Sequence, residues 1–239
     1  WVGEINSETV IYENREVFED LLNSNRGGLL IASHLGNSEV SRALGSHLLG
    51  RKINVLVHTK HSANFNRVMR RINPESTVSL TQVTEINPAV AMMLNEKVSN
   101  GEFVVIVGDR TPVEANQMEP SLRVSWASFL GHPAPFPQGP FILAGLLKCP
   151  VLTMFCLKRE GRYHIIFEQF ADVIDLPRRT REEAMNHWAA RYAARLEKYC
   201  LSDPYQWFNL FDFWLQAGTT PPWDLSGEIR KEQDPHQKK

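Results

Sequence analysis

A chain of 239 residues with 43% hydrophobic and 22% charged residues is long enough for one sizeable core and short for two. A formal net charge of -1 leaves no global basic field to recruit nucleic acid. Attraction to an acidic lipid or carrier would have to come from local clusters such as Arg70-Arg71 and Arg178-Arg179-Arg181, which otherwise read as solvated surface. Three cysteines, Cys149, Cys156 and Cys200, lack CxxC spacing, which argues against a disulfide framework or a zinc knuckle and for a reducing compartment.

In chain order, the first residue is Trp1 and not Met, so an N-terminal piece with room for a membrane anchor is expected to precede it. Short apolar runs rich in β-branched residues then alternate with helical patterns. The predicted strands are Gly28 to Ser33, Ile53 to His58, Thr77 to Leu80, Phe103 to Gly108, Val124 to Phe129, Val151 to Lys158 and Tyr163 to Phe170. Runs without polar alternation, such as Val104 to Val107, belong in the centre of a sheet covered on both faces.

Helices are predicted from Ser38 to Leu49, with Val40, Ala43, Leu44 and Leu48 on one face, and from Pro88 to Ser99, with Val90, Met93, Leu94 and Val98 on another. A longer helix begins at Thr180, where Thr180 and Glu183 form a capping-box pattern ahead of Ala184, Trp188, Tyr192, Leu196 and Tyr199. The apolar stretch Pro140 to Leu157 is broken by Lys148-Cys149-Pro150, so it reads as a helix followed by a buried strand and not as a membrane span. Gly131 to Pro140 reads as a stiff irregular loop. The expected fold is α/β: one domain over residues 1–225 with a mixed, mostly parallel sheet of about seven strands flanked by helices, and a polar, disordered tail over 226–239.

The chemistry concentrates where the first long strand ends. Leu29 to Ala32 deliver Ser33-His34, and Glu39 follows five residues after the histidine. Within one helix these two would stand about 140° apart. If the strand stops at His34 and a helix starts near Asn37 or Ser38, Glu39 in its first turn can reach back, and Gly36, Asn37 and Ser38 suit such a turn. A carboxylate on one ring nitrogen fixes the tautomer and makes the other a better base, an arrangement worth roughly 10² to 10⁴ in rate. Free N–H groups at that helix start would serve an oxyanion. The same residues also fit a core histidine and a carboxylate complementing the helix dipole.

Four segments carry a resemblance. His34 to Glu39 resembles the His-x4-Asp/Glu motif of the lysophospholipid acyltransferase superfamily, in the branch of the bacterial lipid A lauroyl and myristoyl acyltransferases. VVIVGDRTP from Val104 resembles that branch's strand ending in an aspartate turn, with Asp109 matching. FLGHPAPFPQGPFILA from Phe129 and PYQWFNLFDFW from Pro204 resemble its later segments, and order and spacing agree from Gly28 to Trp214. One departure lies at Val57 to His61, which lacks the arginine usual after the second strand; Lys60 offers a point charge in place of a planar fork.

The resemblance implies an enzyme in which His34 deprotonates a hydroxyl or amine that attacks the thioester of an acyl carrier protein or coenzyme A. Glu39 would orient His34, while Asn37, Ser38, Gly108 and Asp109 line the substrate site. Lys60, Arg110 and Arg123 are the candidate cations. No metal or redox cofactor is implied, the acceptor is a lipid or glycolipid, and the expected place is the cytoplasmic face of the inner membrane. Asp109 fits a simple turn cap equally well. Tyr205, Trp207, Phe208, Phe211, Phe213 and Trp214 read as a membrane-interface belt or as a short helix docked on the core through Trp207, Phe211 and Trp214. Two other readings are a non-catalytic lipid-binding member of the same fold and a serine hydrolase using Ser33 or Ser38, the latter weakened by the missing GxSxG elbow.

Overall fold

A computed structural model describes residues 10–37, 51–57, 78–82, 87–110, 123–209 and 213–214. Its strands are β1 Val10–Glu13, β2 Gly28–Ala32, β3 Ile53–Val57, β4 Val78–Gln82, β5 Phe103–Val107, β6 Val124–Phe129, β7 His132–Pro137, β8 Val151–Arg159 and β9 Arg162–Ala171. The described helices are α1 Arg15–Asn23, α2 Pro88–Ser99, α3 Gly139–Leu147 and α4 Arg181–Ser202, followed by a 3-10 turn at Pro204–Gln206.

Among the described residues seven strands form one sheet in the order β1-β9-β8-β2-β5-β3-β4. The β8–β9 pairing is antiparallel and the other pairings are parallel. The unbroken apolar run Leu29 to Ala32 goes to the centre, between β5 and β8, because such a strand has two faces to bury. Alternate side chains feed two cores. Leu29, Ile31, Val104 and Ile106 join one with residues of α2, α3 and α4; Leu30, Ala32, Phe103 and Val105 join the other, where Phe18 of α1 packs on Phe103 and Phe167.

Two expectations about strands change. The run Val124 to Phe129 is not in the main sheet: it pairs antiparallel with β7 in a separate two-stranded ribbon. Gly131 to Pro140 is therefore not an irregular loop. Pro133, Pro135 and Pro137 fall at every second position of β7, so their missing N–H groups all lie on the side away from β6, and the ladder runs through Ala134 and Phe136. Leu130 and Gly131, both at positive φ, make the tight turn between these strands, as Glu160 and Gly161 do between β8 and β9. β1, a four-residue edge strand beside β9, was too short to stand out.

The helices follow their patterns with local corrections. Asn87 caps α2 by accepting the Val90 N–H. Its buried stripe is Ala91, Leu94 and Val98, with Met93 exposed. α4 starts after Thr180, yet the Thr180 side chain makes no capping bond, so the capping box does not form. The break at Lys148, in a left-handed conformation, separates α3 from buried β8. The predicted helix from Ser38 to Leu49 and the tail lie outside the described residues, and no helix among the described residues is long and apolar enough to cross a membrane.

Candidate active site

β2 and β5 run parallel and in register, Ala32 opposite Val107. Continuing that register two residues beyond the strand ends sets His34 against Asp109. The site thus sits at the carboxyl edge of the central strands, where α/β sheets place ligands.

The contact is double. The His34 backbone N–H donates to Asp109 Oδ2 at 2.8 Å, and His34 Nδ1 lies 2.9 Å from Asp109 Oδ1. A carboxylate only accepts, so Nδ1 carries the proton and Nε2 holds the lone pair. The Asp109 side chain is fully buried, whereas that of His34 keeps 29% of its surface exposed. Among the described residues nothing bonds Nε2. A base with an open nitrogen and a dry, oriented carboxylate behind it is a working arrangement for proton abstraction.

Asp109 has further partners from the chain's C-terminal part. Trp207 Nε1 donates to Oδ2 at 3.1 Å, and Asn209 Nδ2 approaches the same oxygen at 3.5 Å. Arg110 donates to Asn209 Oδ1 at 2.9 Å and to the Phe208 carbonyl at 3.4 Å. The segment is stitched to the strand tip: Gly36 N–H donates to the Gln206 carbonyl at 2.7 Å and Phe208 N–H to the His34 carbonyl at 3.1 Å.

Two glycines make these approaches possible. Gly36 has φ +73°, and a Cβ there would stand 1.8 Å from the Cys156 carbonyl oxygen. At Gly108 a Cβ would meet Ile31 Cγ2 at 2.6 Å and Tyr192 Cζ at 2.8 Å. Tyr192, wholly buried on α4, donates its hydroxyl to the Ala32 carbonyl at 2.8 Å and so ties the helix to the end of β2. Burial, with the nearby Asp109 charge, holds that phenol protonated by raising its pKa well above 10.

The predicted site residues divide accordingly. His34, Gly108, Asp109 and Arg110 come together, Asn37 donates its backbone N–H to the Cys156 carbonyl at 2.8 Å, and Glu39, Ser38 and Lys60 lie outside the described residues. Arg123 is exposed at the start of the β6–β7 ribbon, and among the described residues nothing joins it to His34 or Asp109. Asp109 is more than a turn cap: it occupies the Nδ1 side of the imidazole, the place assigned in the sequence to a carboxylate partner. The N–H groups of His34, Leu35, Gly36 and Asn37 are bonded to Asp109, Ser33 Oγ, Gln206 and Cys156, so an oxyanion would find its donors elsewhere. Ser33 is itself buried and accepts from Leu35, a poor position for a nucleophile.

Trp207, Asn209 and Tyr192 were not anticipated as parts of this site. The sequence signals for Trp207 and Asn209 were the aromatic cluster and the resemblance of PYQWFNLFDFW; residues 207–209 and 213–214 are not helical, so the cluster does not dock as one continuous helix. Past the 3-10 turn the backbone is extended at Trp207, and Trp207, Phe213 and Trp214 pack around Phe129 while Tyr205 and Phe208 face solvent. Phe211 lies outside the described residues.

Comparison with protein families matches residues 4–216 to the model described as bacterial lipid A biosynthesis acyltransferase. No curated protein matches the chain significantly.

Proposed function

The chain belongs to the bacterial lipid A biosynthesis acyltransferase family, and from that premise we propose that it moves a fatty acyl group from a thioester of acyl carrier protein or coenzyme A to a hydroxyl or amine of a lipid or glycolipid. The His34–Asp109 pair, 2.9 Å apart at the carboxyl edge of β2 and β5, is the observation that supports this reading most.

In the proposed reaction His34 Nε2 takes the proton of the acceptor as its oxygen or nitrogen attacks the thioester carbonyl. The tetrahedral oxyanion collapses, the C–S bond breaks, and the imidazolium returns its proton to the departing thiolate. Asp109 holds Nδ1–H throughout and stabilises the imidazolium. Glu39, the family motif's own carboxylate, is proposed to help orient His34 alongside Asp109. Asn37, Ser38 and Gly108 would line the acceptor path, with Lys60 as the point charge toward a phosphate or the oxyanion and Arg110 and Arg123 as further cations. The exposed Tyr205 and Phe208 rings favour a membrane surface on the cytoplasmic side, where acyl thioesters are supplied.

Incubation with labelled acyl carrier protein or acyl coenzyme A and a membrane lipid extract tests the reading. His34→Ala is expected to lose at least ~10²-fold in transfer with the fold intact by circular dichroism. Equal transfer by wild type and variant, or label released only to water, would overturn it. Mass spectrometry of the labelled lipid then names acceptor and chain.

A further inference from the structure

We infer that Trp207 is a positioning residue for His34: its indole N–H holds the Asp109 carboxylate in the orientation that fixes the histidine's tautomer. The inference rests on the proposed acyl transfer only for its effect on rate.

A fully buried carboxylate is costly unless its oxygens are satisfied. Oδ1 meets His34 Nδ1, and Oδ2 meets His34 N–H, Trp207 Nε1 and, at longer range, Asn209. The torsion that turns a carboxylate is soft. With Trp207 gone, one strong donor would remain on Oδ2, and the plane that aims Oδ1 at the ring would loosen.

Trp207 is itself held from two directions. Its ring packs edge-on to Phe129 at 5.0 Å and Phe213 at 4.8 Å between centroids. Its backbone pairs with Leu35, and the preceding Gln206 clasps the Lys158 backbone, accepting its N–H at 2.7 Å and donating to its carbonyl at 2.9 Å. The indole N–H therefore points where the packing sends it. Tryptophan suits the place because it fills an apolar pocket and presents a donor alone; tyrosine or neutral histidine would also bring a lone pair toward the anion. Arg110, bonded to Asn209 Oδ1, turns the amide's NH₂ toward Asp109 and backs the same carboxylate.

The test uses two replacements: Trp207→Phe, and 3-benzothienylalanine at position 207, which keeps the shape of the bicycle but has sulfur in place of N–H. Nitrogen-15 NMR of labelled histidine, at a pH where the imidazole is neutral, reads the tautomer directly. Wild type is expected in the Nδ1–H form, and both replacements to gain the Nε2–H form that free imidazole prefers. Turnover is expected to fall about tenfold in kcat with KM for the acyl donor unchanged. A wild-type tautomer in the benzothienyl protein would overturn the inference. If the tautomer shifts but wild type transfers no acyl group, the positioning role stands and the transferase reading falls.

Discussion

Asp109 grips His34 twice, once at the ring through Oδ1 and once at the backbone N–H through Oδ2, so ring and main chain are referenced to one buried group. This bidentate contact makes the imidazole's orientation a property of the sheet's register and not of a flexible loop.

If Asp109 orients the base, Asp109→Asn should be far more harmful than its small change of shape suggests. An amide can offer an N–H to Nδ1 and favour the wrong tautomer, so a loss of about 10² to 10⁴ in kcat is expected. Glu39→Ala should cost less. Single-turnover acyl transfer by the two variants compares the carboxylates, and a larger loss for Glu39→Ala would return the orienting role to Glu39.

Gly36→Ala should destabilise the fold by at least about 2 kcal/mol, because the left-handed φ and the Cys156 carbonyl both exclude a methyl group. Urea unfolding measures it. Gly108→Ala should cost about 1–3 kcal/mol through overpacking on Ile31 and Tyr192.

Tyr192→Phe is expected to be mild, about 1 kcal/mol, with turnover near wild type. The Ala32 carbonyl that loses the hydroxyl still accepts the Gly108 N–H at 2.9 Å, so no buried acceptor is orphaned. A severe loss of activity on removing this one oxygen would place the phenol in the chemistry itself.

The C-terminal segment is anchored by an ion pair whose pH dependence has a definite sign. Arg159 reaches Asp203 at 2.7 Å, and this hydrogen bond, ahead of the opposing effect of burial, lowers the Asp203 carboxyl below its ordinary 3.8. A depressed folded-state pKa adds stability above the unfolded value and loses it as pH falls through the folded one. Asp203→Asn should therefore cost about 1 kcal/mol at neutral pH, and the gap to wild type should close below pH 3.8. Chemical denaturation at several pH values checks this; a gap constant down to acid would remove the ion pair as its source.

Local pattern alone was enough to place both His34 and Asp109 at strand tips. Leu29 to Ala32 and Phe103 to Val107 are apolar on both faces, which demands central strands, and His34 and Asp109 stand the same two residues beyond their ends. The motif resemblance added the order of the segments. Pairing was beyond reach of the linear pattern, because a strand's sequence constrains which faces are buried but not which neighbour it takes. Hence Val124 to Phe129, a convincing strand, left the main sheet for a proline-spaced ribbon, and Asp109 proved to be the histidine's partner across 75 positions. Trp207 and Asn209 were harder still. Their role depends on an irregular segment brought back by Gln206 and Asp203, and only long-range hydrogen bonds, absent from any local periodicity, aim an indole N–H at a buried carboxylate.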